Sequence, residues 1–559
     1  MKMKLTIFSL CLFFTLISFI PSIYELINRD KIAPDRYFVL EHNYNFDYNF
    51  YLSRIREGTS GRWLVTEKYY NQPHKSSLFQ AIYLYFGKIG KIFGLSVEGI
   101  YHAARFISGF ILLLATAFYG RRFFGNKIII LFFLLTVTSS SWPILQRLGG
   151  FYRFATYMGY WSVIDSLQRI TIMPHILIGQ ILLVVILERL GVSLKLSLSE
   201  SFLLGILGLA AGIIFPPTVI ISYVFIGVYG LFVVLDILSS GNSFSGKRKL
   251  FLNFVKERFL PLFIYVVLSL PSFLYLSAML KVQPWKALAL FDIEHRIPIP
   301  YIEYFLALGP ILILGLLGVV WAFIKNNKQY YGPIAWIASI FLLFLIFENI
   351  PQQSPSRFTE GAIHIPLGIV ATYLIAALWK SAEKLKKGLG RWVRIGLAVT
   401  TGGTIILGAL VMLSMILWLT DQAYAKRLAT WPVPLGAQLA YPLDDFMDGI
   451  FYLRDKTPQE SVVLTYITSG NFIPAFADNY VYIGHANTPA ESEKEEIAAS
   501  FFKGEMSEEY VLKFLKKERI SYIYYGPQER ALGGPVDLRE KYNFLSSVYS
   551  NKQVAVYKY

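Results

Sequence analysis

Apolar runs long enough to cross a lipid bilayer follow one another along almost the whole of this chain, and they constrain its fold more than anything else in it. A spanning helix needs about 20 largely apolar residues, and the sequence supplies roughly eleven such runs. They lie near 5–27, 99–120, 127–142, 173–189, 201–217, 218–238, 259–279, 303–325, 332–348, 361–379 and 394–420. Backbone in hydrocarbon must satisfy its own hydrogen bonds, so the runs read as helices. "IIFPPTVII" divides 201–238, where Pro216 and Pro217 break or kink a helix. The fold class that follows is a polytopic α-helical membrane protein with about 11 transmembrane helices. Charged residues make up only 16% of the 559, against about 25% in soluble proteins. The net charge of +16 belongs with cytoplasmic loops and anionic head groups, and calls for no nucleic acid. The single cysteine, Cys11, excludes an intramolecular disulfide.

The basic residues orient the helices. "MKMKLTIFSLCLFFTLISFIPSIYEL" starts like a signal peptide but lacks a small-residue cleavage site, and reads as a retained signal anchor. With the N-terminus cytoplasmic, "MKMK", "RRFFGNK", "ERLGVSLK", "GKRKLFLNFVKER", "KNNKQ" and "KSAEKLKKGLGRWVR" all fall inside, as the positive-inside rule requires. The outside segments are then about 28–98, 143–172, 280–300, 349–360 and everything after Thr420. The expected location is the cytoplasmic (inner) membrane.

Residues 1–420 thus form the transmembrane domain, and its first outside loop, 28–98, is patterned. "FDYNFYLSRIREG" and "SSLFQAIYLYFGKIGKIFG" have helical apolar spacing and read as helices lying along the membrane surface. Residues 421–559 read as a small extracytoplasmic α/β domain. "SVVLTYI", "YVYIGHA", "ISYIYYG" and "VAVYKY" are its strands; "SEKEEIAASFFKG" and "SEEYVLKFLKKERI" are amphipathic helices. No glycine-rich phosphate loop follows a strand, so no nucleotide is expected.

Three outside clusters carry groups with chemical use. Asp47 lies among aromatics, and in a helix Asp47, Tyr51 and Arg54 share a face. A carboxylate at a partly dry surface can take a proton from an acceptor hydroxyl; the simpler alternative is a helix cap. The second loop holds Arg147, Arg153 and Arg169 with His175 at the mouth of the next span. Guanidinium groups fork onto phosphate oxygens, whereas head-group snorkelling is the alternative. Tyr152, Tyr157, Tyr160 and Trp161 suit either a sugar ring or an interfacial belt. In the third cluster, "SPSRFTEGAIHIPLG", Arg357, Glu360 and His364 fall on one helix face. They serve as a structural pair or hold a lipid-linked phosphate. Arg105 lies within a predicted span and should face the bundle interior. No cofactor is expected and no metal motif occurs among the scattered histidines, although carboxylates can hold Ca²⁺ or Mg²⁺. No G-x-S-x-G elbow marks a hydrolase.

This order of parts resembles the GT-C superfamily of integral-membrane glycosyltransferases: a cytoplasmic start, one span, a long acidic outside loop, many spans, then an outside α/β domain. "FDYNFYLSRIREGTSGRW", "YHAARFISGF", "MPHILIGQILL", "SRFTEGAIHIPLGI", "YVYIGHANTP" and "SYIYYGPQE" carry the resemblance, to a bacterial multispan branch, over nearly the whole chain. It implies inverting transfer of a hexose or pentose from a polyprenyl-phosphate-linked donor to a glycan, lipid or protein acceptor at the outer face, with membrane lipids as further partners. Asp47 then takes the base role, and Arg153, Arg169, His175 and Arg357 are its phosphate candidates. The first loop departs from branches with paired acidic residues, since Glu41 is the nearest acid before Asp47. A lipid-diphosphate-dependent polysaccharide polymerase or ligase would shift weight to Arg357 and Glu360. A lipid or solute transporter would need neither the long loop nor the outside domain, and a glycan-binding scaffold would not need Asp47.

Overall fold

Each of the apolar runs is helical over most of its length in the computed structural model, which describes residues 2–148, 150–192, 196–428, 441–534 and 537–559. Eight helices among the described residues are long and apolar enough to cross a membrane, from Lys2–Ile27 to Gly388–Leu428. A ninth span results if Tyr301–Leu308 and Pro310–Ile324, bent by 88°, count as one. Asn126–Val137 and Leu198–Ile214 are shorter. The protein is a multi-pass membrane protein with a small C-terminal sheet.

The 88° bend has a local cause. Gly309 stands between the two helices with φ +66°, and a Cβ there would lie 2.0 Å from the Ser140 carbonyl oxygen. Only glycine meets both conditions.

The chain divides into two compact units. One comprises Met1–Ile20, Arg105–Leu276 and His295–Trp418. Inside it, Pro310–Ile324 packs along His364–Ala382. The outside segment 143–172, read as a loop, contains an antiparallel hairpin: β1 (Pro143–Leu148) pairs with β2 (Phe151–Thr156). A short 3₁₀ turn, Gln168–Thr171, follows.

The other unit comprises Pro21–Ala104, Ser277–Glu294 and Leu419–Tyr559. Its sheet runs β4–β3–β5–β7–β6, formed by β3 (Val462–Leu464), β4 (Tyr480–Val481), β5 (Ile520–Tyr525), β6 (Ser546–Ser550) and β7 (Ala555–Lys558). The β3 strand is parallel to β4 and β5, whereas β7 is antiparallel to β5 and β6. Leu464, Phe501, Phe502, Leu515 and Ile523 fill the core beneath it. The four predicted strands and two predicted helices are all present; β6 is an addition, unforeseen because "SSVYS" is mostly polar.

The two first-loop helices differ from their common expectation. Asn45–Thr59 is buried along most of its length, against Ala81–Phe93 on one side and Ile467–Phe476 on another. Ala81–Phe93 keeps an exposed apolar face, with Ile92 at 77% and Phe93 at 72%. A helix on a membrane surface presents such a face; the first of the two does not. The outside segment 280–300 contains a helix, Trp285–Glu294. Its Trp285 packs with Val65, Ala81 and Leu84 and donates to the Lys75 carbonyl at 2.9 Å.

Candidate active site

Helix Asn45–Thr59 begins after Tyr44, whose side chain makes no capping bond. Asp47 is therefore a first-turn residue rather than the cap, placed where the helix dipole favours a carboxylate. Amides on either side of it in sequence hold this turn down. Asn49 Nδ2 donates to Asn471 Oδ1 at 2.8 Å, and Asn471 Nδ2 donates to the Phe46 carbonyl at 3.3 Å. Asn45 Nδ2 donates to Glu41 Oε2 at 3.0 Å. Glu41 Oε1 in turn accepts from Lys426 at 2.7 Å, and Lys426 also pairs with Glu25, which accepts from Tyr441.

Asp47 lies two residues from each asparagine, and its side chain keeps 48% of its exposure. Its Oδ1 faces His485 Nε2 at 3.6 Å, an ion-pair distance rather than a hydrogen bond. The His485 ring is buried, stacked on Phe50 at 4.7 Å. The Asn487 amide donates to His485 Nδ1 at 3.1 Å. Nδ1 is thus the acceptor nitrogen, and in the neutral ring the proton sits on Nε2, facing Asp47.

Tyr51 and Arg54 do not join Asp47 at the surface. Tyr51 is buried and stacks on Tyr83 at 4.6 Å. Arg54 is fully buried and donates to the Thr66 carbonyl and to Glu67, both at 2.6 Å, with Glu57 at 3.4 Å. Its guanidinium is spent on fixing the first loop. Glu57 accepts from the amide and hydroxyl of Thr66 at 2.9 and 2.8 Å. Burial, opposed by Arg54, pushes its carboxyl up to about 7.

In the other unit, Arg169 also has a structural post. Its Nη2 lies 3.0 Å from the Val137 carbonyl and 2.7 Å from that of Ser139, closing the end of helix Asn126–Val137. Burial lowers it to about 10, so it stays charged. It is not an open phosphate clamp. Arg105 is buried as expected, donating to the Thr171 carbonyl at 2.8 Å over the Phe19 ring. Arg153 stands on β2 opposite Gln146, half-buried. His175 occupies the first turn of helix Pro174–Val192, near Phe215.

Arg357, Glu360 and His364 do not share one helix face. Pro355–Glu360 is a 3₁₀ turn, Ala362 has φ +52°, and a new helix starts at His364. Two of the three still meet: Arg357 Nη1 lies 3.8 Å from Glu360 Oε1, Glu360 being buried and Arg357 44% exposed. His364 and Arg169 line a cavity of about 10 Å³, room for about one water. Among the described residues, no three His, Cys, Asp or Glu side chains gather as a metal site.

No protein-family model and no curated protein matches the sequence. Solved structures do match in three dimensions. The apo oligosaccharyltransferase of Archaeoglobus fulgidus aligns with a TM-score of 0.51, over 99% of this chain and 74% of that one, at 13% identity. The chain has the GT-C fold. ArnT from Cupriavidus metallidurans bound to undecaprenyl phosphate aligns at TM-score 0.48 and 12% identity, over 97% of both chains. Arabinofuranosyltransferase AftD from mycobacteria aligns at TM-score 0.46 and 11% identity, over 98% of this chain and 40% of that one. The GT-C fold agrees with the order of parts read from the sequence. His485, Asn49 and Asn471 were not among the residues singled out there. The only hint was a histidine closing the run "YVYIGH".

Proposed function

We propose that the protein is an inverting glycosyltransferase of the cytoplasmic membrane. It moves a sugar from a polyprenyl-phosphate-linked donor to an acceptor hydroxyl at the outer face, with Asp47 as general base. One observation carries the reading: a half-exposed carboxylate in a helix first turn held by buried amides, with a histidine Nε2 at 3.6 Å. Asp47 accepts the hydroxyl proton as that oxygen bonds the anomeric carbon. The bond from that carbon to the phosphate oxygen breaks from the opposite side, and the lipid phosphate leaves with the electron pair. His485 is a positioning residue, since its buried ring fixes the direction from which a proton donor faces the carboxylate. Arg153, His175 and Arg357 are the residues proposed to meet the phosphate.

A second reading, a lipid-diphosphate-dependent polymerase or ligase, draws on the half-exposed Arg357 beside the buried Glu360.

The test compares native protein, Asp47→Asn and His485→Gln in membranes supplied with radiolabelled polyprenyl-phosphate sugars and a cell-envelope extract. A lost general base costs roughly 10²–10⁴-fold, and a misplaced one roughly 10- to 100-fold. The expected order of transfer is native, then His485→Gln, then Asp47→Asn, at equal abundance and monodispersity. Equal transfer by native and Asp47→Asn would sink Asp47 as the base and turn attention to Glu360.

A further inference from the structure

The unit that holds Asp47 also carries an open cleft of about 730 Å³, and Asp47 and His485 are not among its lining residues. It falls within the usual size of ligand sites, about 300–1,000 Å³. Its walls come from the first loop around Arg62–Ser76 and from the end of helix Glu508–Lys517 with β5.

Charge is the first clue to its ligand. Arg62, Lys516 and Arg519 line it against one carboxylate, Glu460. Arg62 pairs with Glu460; Lys516 and Arg519 are exposed, and no carboxylate among the described residues pairs with either. His74 adds no charge, because burial lowers its pKa. Its Nε2 accepts from the Glu67 amide, and its Nδ1 meets the Gln72 carbonyl, both at 2.9 Å. The side chains that line the cleft therefore carry more positive than negative charge.

Arg519 has φ +59° just past the helix end, a conformation that suits glycine and strains arginine.

The rest of the lining sets the ligand class. Ser76 and Ser521 offer hydroxyl groups, Gln72 offers its amide oxygen while its Nε2 donates to Glu518 at 2.9 Å, and Tyr559 offers a ring face. Hydroxyls and amides match the hydroxyls of sugars, rings match their apolar faces, and the cations match carboxylate or phosphate substituents. A lipid head group would bring acyl chains that these polar walls do not receive.

We infer that this cleft binds an acidic oligosaccharide. Its role as a hold on the acceptor, away from the reacting end, rests on the glycosyltransferase reading; the binding itself does not.

The experiment titrates the full-length protein in lipid nanodiscs with fluorophore-labelled tetragalacturonate. Saturable binding is expected, at least tenfold weaker for the Lys516→Ala/Arg519→Ala double variant and for neutral chitotetraose. Asp47→Asn should bind as the native protein does. The inference is overturned if no saturable binding occurs, or if the double variant binds as well as native. It is equally overturned if inorganic phosphate competes as well as the uronate, or if Asp47→Asn alone abolishes binding. Intact binding without sugar transfer would count against the glycosyltransferase reading alone.

Discussion

Asp47 and Glu57 stand on the same helix in opposite circumstances. Asp47 reaches solvent, whereas Glu57 is sealed in, and its burial outweighs the Arg54 guanidinium at 3.4 Å. The Glu57 carboxyl, at about 7 when folded, starts from an ordinary 4.5. Between those values the folded protein holds a proton that the unfolded chain has released, so stability falls as pH rises through that window and levels off above it. At 1.4 kcal/mol per unit the effect is about 3 kcal/mol at most. In detergent, the Tm of native protein should drop between pH 5 and 7.5 by more than that of Glu57→Gln. Parallel curves would refute the assignment. The residue scale was the least legible in the sequence. Asp47 stood out as a single carboxylate among aromatics, but spacing alone put Tyr51 and Arg54 beside it at the surface. Periodicity gives the angle around a helix and not which face is covered, and here two neighbouring helices cover theirs. His485 gave no more than its place at the end of "YVYIGH", because what makes it matter is a partner far away in the chain.

At the scale of elements, close backbone approach does the work that polar contacts do elsewhere. Helices Asn45–Thr59 and Ala81–Phe93 cross at Gly58 and Gly87: a Cβ on Gly87 would stand 2.0 Å from the Ile55 carbonyl oxygen, and one on Gly58 1.9 Å from that of Leu84. Backbone cannot step aside as a side chain can, so Gly87→Ala must part the helices. Overpacking of this kind costs about 1–3 kcal/mol or more. The expected outcome is a lower Tm together with reduced sugar transfer, since the helix that moves carries Asp47; an unchanged Tm would mean that the crossing is looser than these distances. Long apolar runs made the helices easy to read, each being specified by its own composition. The hairpin was missed because "LQRLGGFYRFA" mixes arginines and aromatics and shows no clean alternation of apolar and polar residues. The Arg357–His364 face failed for a backbone reason, the positive φ at Ala362, which side-chain spacing cannot reveal.

At the scale of the whole molecule, the orientation expected in the membrane rests on six basic segments that agree with one another. Cys11 is buried, which makes it a quiet background for labelling. A cysteine placed by Lys503→Cys should react with an impermeant maleimide in intact cells, and one placed by Lys384→Cys only after permeabilisation; the reverse pattern would invert the topology. Both positions are exposed. The unit around Asp47 is also closed by partners far apart in the chain: Asn49 with Asn471, Lys68 with Asp478, and Glu25 with Lys426 are separated by 422, 410 and 401 residues. A ribosome adding about 5–20 residues per second needs roughly 20–80 s to cover 400. For that interval the first loop is already made while its Glu41, Lys68 and Asn49 still lack the partners that will balance or satisfy them. A nascent chain released before Asn471 would therefore carry every predicted span and still lack a seated Asp47. Premature termination late in the gene should yield a membrane-inserted but catalytically silent product.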